Sequence, residues 1–204
     1  MAFDVLPSRE TIDTTIETLE RNGVSVVFVE AAADARSKVL EMLPEGSEVM
    51  NMTSRTLMGL GLDKEILESG RYDAVRNRWM TMDRTAQAEE MNQLGAAPEW
   101  VLGSVHAVTM SGSLMFASNT GSQLPAYAYG ALHVLWVVGA QKIVKDVDEG
   151  FRRIYEWCLP HERERALAAY GPGTTTEVNK LLIMNKEKQK DRITMVMANE
   201  VIGI

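Results

Sequence analysis

The first half of the chain alternates between two hydrophobic periods. Over residues 8–21, Ile12, Ile16 and Leu19 fall at spacings of four and three, with Ser8 placed to cap and Glu10 in the first turn. This predicts an amphipathic helix. Asn22 and Gly23 stop it, and the run 24–29 is too uniformly apolar for a surface strand, as expected in a parallel sheet covered on both faces. A helix over 32–43, ended by Pro44 and Gly46, and a strand over 48–51 complete a βαβ unit. Beyond it the pattern predicts a short helix from Leu57 to Leu60, a restart after Gly61 toward Ser69, and a weak strand over 72–75. A polar stretch containing methionine, a helix over 83–94 and a strand over 100–102 follow.

Residues 104–145 are the densest part of the pattern. Val105 to Met110 and Leu114 to Ala117 flank Ser111-Gly112-Ser113, which predicts a tight turn with Gly112 at positive φ between antiparallel arms. The polar loop 118–125 feeds a helix of small and aromatic residues ending near Gly130, with Pro125 in its first turn. His133 to Val138 reads as the most deeply buried strand. A helix over 146–158 places Val147, Phe151, Ile154 and Cys158 on one face and is ended by Pro160. A charged helical turn within 161–170, a linker-like loop over 171–176, and two strands at 179–185 and 192–198 joined by a lysine-rich turn close the chain. The sheet is expected to be mixed with a parallel majority, in a single domain over 1–204 with 1–7 as an N-terminal tail.

A chain of 204 residues buries a sizeable core without disulfide or metal. Its one cysteine, Cys158, cannot pair within the chain or build a Cys-based cluster, and its position on an apolar helix face marks it as a core residue. The three histidines form no metal-binding pair, so no metal site and no cofactor are expected. With 21 basic against 28 acidic residues the formal charge is −7, which argues against a nucleic-acid partner. No apolar run approaches the ~20 residues that span a bilayer, and no basic leader precedes an apolar core. A soluble, cytoplasmic protein that meets small molecules or other proteins is expected. Its thirteen methionines and four tryptophans leave room for a homodimer.

Candidate chemistry clusters where polar loops follow apolar strands. Asn51, Thr53, Ser54, Arg55 and Thr56 stand between a strand and a helix, where free N–H groups and a guanidinium attract anions. Thr53 or Ser54 equally suits a plain N-cap. Asn119, Thr120, Gly121 and Ser122 form a second anion-friendly loop ahead of a helix, with Gly121 open to close approach by a ligand. His106 has the titration range of a general acid or base, or is a strand histidine bonded to backbone. Lys142 is either a point charge for a carboxylate or phosphate, or a solvated surface lysine. His133 reads as structural, and neither Lys180 nor Lys186, which flank the penultimate strand, reads as catalytic. With no clear nucleophile–base pair, an enzyme of small anionic metabolites and a non-catalytic accessory or sensor module both stay open.

The succession Gly103-Ser-Val-His-Ala-Val-Thr, Gly112-Ser-Leu114, Asn119-Thr-Gly-Ser122, Tyr129-Gly-Ala and Gly139-Ala-Gln-Lys-Ile-Val144 resembles the LUD (lactate utilisation) domain family. Residues 51–61 and the closing segment 192–203 are similar to that family as well, so the resemblance covers about residues 8–204. It implies a three-layer α/β/α fold with a mostly parallel mixed sheet, related to sugar-phosphate isomerases and CoA transferases. It also implies a site for a small anionic metabolite over the strand ends: an organic acid, lactate-like, or a phosphorylated or acyl compound. Beside this resemblance His106 and Lys142 are the candidate catalytic residues, Lys142 matching the family's lysine in the loop after the central strand, and the 51–56 loop, the Ser111-Gly112-Ser113 turn and the 119–122 loop are the candidate ligand-binding elements. Some members are subunits of an iron–sulfur oxidation complex, which implies oxidoreductase partner subunits. The sequence departs from the family at His106, where Asn is frequent, at Met110-Ser111, where an acid often precedes Gly, and at Asn119-Thr120.

Overall fold

The structure is a computed structural model that describes residues 3–204. In chain order the strands are β1 (Val24–Val29), β2 (Glu48–Asn51), β3 (Asp73–Ala74), β4 (Trp100–Gly103) and β5 (Ala107–Thr109), then β6 (Leu114–Ser118), β7 (His133–Gly139), β8 (Ile143–Val144), β9 (Lys180–Met184) and β10 (Ile193–Ala198). Six of them form one parallel sheet in the order β1-β10-β7-β4-β2-β3, and four form a second, mixed sheet in the order β8-β5-β6-β9.

Burial on both faces explains the uniform strands of the large sheet. Val49, Leu102, Leu135, Val137 and Val196 pack toward α2 (Ala32–Met42), α3 (Arg55–Gly59) and α4 (Leu62–Glu68). Their neighbours Met50, Val101, Val134, Trp136 and Met195 pack toward α1 (Arg9–Arg21) and toward Val108, Leu114 and Phe116 of the small sheet. The opposite face of the small sheet, Ala107 and Met115, meets Ile154 and Phe3. Phe3, from the expected N-terminal tail, is therefore part of a core; residues 1 and 2 lie outside the described residues.

The three-layer α/β/α architecture is as expected, with one difference in detail. The parallel majority and the antiparallel minority are divided between two sheets instead of sharing one. The lysine-rich segment after β9 likewise joins strands of different sheets. β10 is apolar on both faces and takes the centre of the parallel sheet, whereas β9 has half-exposed residues and serves as an edge beside β6. The predicted turn is present, with Gly112 at φ 80° between antiparallel β5 and β6.

Two helices differ from expectation. The polar stretch after β3 is α5 (Val75–Thr81), held by buried Val75 and by Trp79 one turn on, and α6 spans Ala88–Ala96. Pro160 does not end its helix. α7 (Val147–Arg152) continues through a π-helical turn, Arg153–Cys158, directly into α8 (Leu159–Tyr170). In that wider turn Leu159 N–H pairs with the Ile154 carbonyl five residues back, so the ladder is already offset where proline lacks a donor and needs room. No helix is long and apolar enough to cross a membrane among the described residues.

Candidate functional site

Three neighbouring parallel strands end in polar residues on the same edge of the large sheet. β2 ends on Asn51, β4 runs into Ser104 and His106, and β7 turns through a short helix, Ala140–Lys142, that carries Lys142. Facing that edge are the end of β6, the segment 174–178 ahead of β9, and α8. Between them lies a cleft of about 490 Å3. Ligand crevices form at this end of α/β sheets because strand ends release the backbone and side chains there from ladder pairing.

The floor of the cleft is built on Lys142, which is 2 % exposed. Its Nζ donates to Thr56 Oγ1 at 3.0 Å, Ser104 Oγ at 3.1 Å and the Val105 carbonyl at 3.2 Å. No carboxylate lies within ion-pair distance of it among the described residues. Burial, and then the nearby Arg153 guanidinium, push its pKa from 10.5 down to about 7. Ser104 Oγ donates its own proton to the Val137 carbonyl, so it can only accept from the lysine. Thr56 Oγ1 accepts as well, which leaves its hydrogen for another partner. Gly203, at φ 70°, packs its backbone onto Thr56 so closely that a Cβ would overlap Oγ1.

Beside this group Asn51 is fully buried, and both its Oδ1 and Nδ2 lack a hydrogen-bond partner. A buried amide without partners costs roughly 1–3 kcal/mol, which a ligand supplying an acceptor and a donor would offset. Asn51 and Thr56 are held by Leu57 and by the pairing of β2 on β4, and the ring cluster of Phe116, Tyr127 and Trp136, with centroids 5.0 to 5.5 Å apart, backs the floor.

His106 is half-buried, and its Nδ1 accepts the Ala117 backbone N–H at 3.2 Å. Nδ1 is thereby fixed as the unprotonated nitrogen and Nε2–H becomes the donor. Burial, then the charges of Lys142 and Arg153, push its pKa from 6.5 down to about 3. With its pKa so far down, the ring is a neutral hydrogen-bond donor across the ordinary pH range. The backbone-bonded reading of His106 is thus the one the geometry supports, and the surface reading of Lys142 is overturned by its burial.

Behind them Arg153 is fully buried. It donates to the His106 carbonyl at 2.6 Å and to Cys158 Sγ at 3.0 Å. Cys158 is buried, and its removal from water raises its pKa, as fits a core thiol that is no nucleophile.

The remaining candidates separate. Thr53, Ser54, Arg55 and Thr56 all line the cleft, and Ser54 is also the N-cap of α3, its Oγ accepting from Leu57 N–H. Asn119, Thr120 and Ser122 line it too. The 118–122 loop, however, satisfies itself: Gly121 N–H donates to Ser118 Oγ, Ser122 N–H to Thr120 Oγ1, and the Asn119 Oδ1 accepts from Asn179. The open side of Gly121, at φ 90°, is filled by the Lys180 side chain, whose Nζ donates to the Thr120 carbonyl, so no ligand approaches there. Ser111, Gly112 and Ser113 do not line the cleft. They pack against the C-terminal end of α1, where Asn22 Nδ2 donates to the Ser111 carbonyl, and Ser113 Oγ donates to Asn185 just after β9. The turn was attractive by residue type, yet hairpin closure uses up its hydrogen bonds.

Several lining residues were not singled out from sequence. Arg76 and Arg84 come from α5 and the segment after it, and Arg165 with Glu162 from α8. The apolar pair Val75 and Trp79, four apart, was the signal that could have placed Arg76 on a helix.

A family model described as the LUD domain matches residues 12–203. Among solved structures, a DUF162 family protein from Deinococcus radiodurans shares the fold at a TM-score of 0.58 and 11 % identity, covering 96 % of this chain and 100 % of that chain. No functionally curated protein matches the sequence significantly.

Proposed function

The chain belongs to the LUD-domain family, and from that premise we propose that its cleft binds a small anionic metabolite with the acidic group over Lys142. Membership supports a role related to lactate utilisation. The observation that carries the finer reading is a buried ammonium on the cleft floor with no carboxylate within ion-pair distance among the described residues. Burial of an unpaired charge is costly, and a bound anion is the group that would compensate it. Asn51, the Thr56 hydroxyl and the His106 Nε2–H add donors, and Arg55 adds a second cation at the rim.

The same geometry favours binding and polarisation over proton transfer. His106 is locked as a neutral donor, Cys158 is a core thiol, and Lys142 has three acceptors around its nitrogen. An accessory or sensor module for organic acids fits this better than an acid–base enzyme does.

Calorimetric titration with lactate and related short-chain acids tests the reading on the wild type and on Lys142→Met. Removing one partner of a buried charge pair weakens binding about 30-fold or more. Equal affinity in the variant would remove Lys142 from the site and the proposal with it.

A further inference from the structure

Charge in the cleft is arranged at two depths. Lys142 and Asn51 lie on the floor, 2 % and 0 % exposed. Arg55 and Arg84 are exposed at the rim, and Arg76 is half-buried there, its guanidinium within 3.4 Å of Thr53 Oγ1. These rim arginines are unlike most of the others. Of the thirteen arginines, eight are paired with a carboxylate among the described residues. Of the five that are not, three stand on this rim.

The two acidic side chains that line the cleft are already held by other arginines. Glu162 is held in a bidentate pair by Arg165 at 2.7 and 2.8 Å, and both oxygens of Glu177 accept from Arg163 Nη2 at 2.6 and 2.7 Å. Three unpaired guanidinia in a protein of net charge −7 are a local excess of positive charge at one mouth. Guanidinium forks match the oxygens of a phosphate, whereas a lysine ammonium acts as a single point charge. The volume agrees, since about 490 Å3 lies in the range that receives ligands well beyond a three-carbon acid.

We infer that the cleft is shaped for a phosphorylated carboxylic acid, its carboxylate on the Lys142–Asn51 floor and its phosphate among Arg55, Arg76 and Arg84. This rests on the anion-binding reading of the floor and extends it to a second subsite. The unpartnered amide of Asn51 is the independent sign that a ligand reaches the floor, and it would select for a hydroxyl or amide donor next to the carboxylate.

Three probes separate the two subsites by calorimetry: lactate for the floor, glycerol 3-phosphate for the rim, and 3-phosphoglycerate for both. The wild type is expected to bind 3-phosphoglycerate at least tenfold more tightly than either of the others. Arg76→Gln with Arg84→Gln is expected to lower 3-phosphoglycerate affinity at least tenfold and lactate affinity less than threefold, with an unchanged melting temperature. If lactate binds in a Lys142-dependent way but 3-phosphoglycerate gains nothing, or the rim variant weakens both alike, the second subsite is overturned while the floor stands. If none of the three binds the wild type, both readings fall.

Discussion

The segment after β2 and the loop after β6 look equivalent as strings of residues. Each places Asn, Thr and Ser directly after a buried strand and ahead of a helical turn, and both line the same cleft. They differ in what is left over once the backbone is folded. In the 118–122 loop the hydroxyls and amides bond to one another and to Asn179 and Lys180. After β2, Asn51 keeps both amide atoms unpartnered and Thr56 faces an ammonium without a counter-ion. Residue type finds polar loops, whereas unspent hydrogen-bonding capacity and uncompensated charge identify the part built for a ligand.

The sharpest break of this contrast comes from Lys142→Met. Affinity for an organic acid should fall about 30-fold or more, while stability changes in the opposite sense. The folded protein releases the Lys142 proton near pH 7 and the unfolded chain near 10.5, so between these values the unfolded state holds more protons. Stability from this group therefore rises with pH across that window, and below pH 7 the buried charge costs a few kcal/mol. Urea unfolding at pH 6 should find the methionine variant at least as stable as the wild type, with the difference shrinking by pH 9.

Asn51→Leu comes next. It should weaken ligand binding roughly tenfold, the scale of one to two hydrogen bonds in a buried site, and leave the melting temperature equal or higher because an unpartnered buried amide is removed. A lower melting temperature would mean that Asn51 has a structural role. The self-satisfied elements should behave in the reverse way. Ser113→Ala removes the bond to Asn185 and should cost about 1 kcal/mol in unfolding experiments, with unchanged ligand affinity. Ser122→Ala should shift neither stability by more than about 0.5 kcal/mol nor affinity by more than twofold, since its hydroxyl only accepts from Thr120 within the loop.

The same distinction explains what the sequence disclosed. Strand and helix positions followed from periodicity, and the hairpin from Gly112 between two apolar arms. Partnership did not: the spacing of β9 and β10 says that they are strands, while only burial on both faces of β10 puts it between β1 and β7. Pro160 misleads as a breaker because the π-helical turn ahead of it cannot be seen in the residue pattern. Lys142 stood out through its family motif, yet its burial and missing counter-ion are properties of the folded neighbourhood. Arg76 went unmarked because the segment that carries it reads as polar chain, and Arg84 because it falls in the first turn of a predicted helix with nothing to tie it to the cleft; their lack of carboxylate partners exists only in three dimensions.

The most direct measurement is the titration of Lys142 itself, followed by NMR of the 13Cε resonance in protein labelled at lysine, assigned with Lys142→Met. The free protein should show one lysine titrating near pH 7, moving up by at least one pH unit when saturated with lactate or 3-phosphoglycerate, because a bound anion favours the ammonium. A Lys142 that titrates near 10.5 and ignores both probes would contradict the central claim.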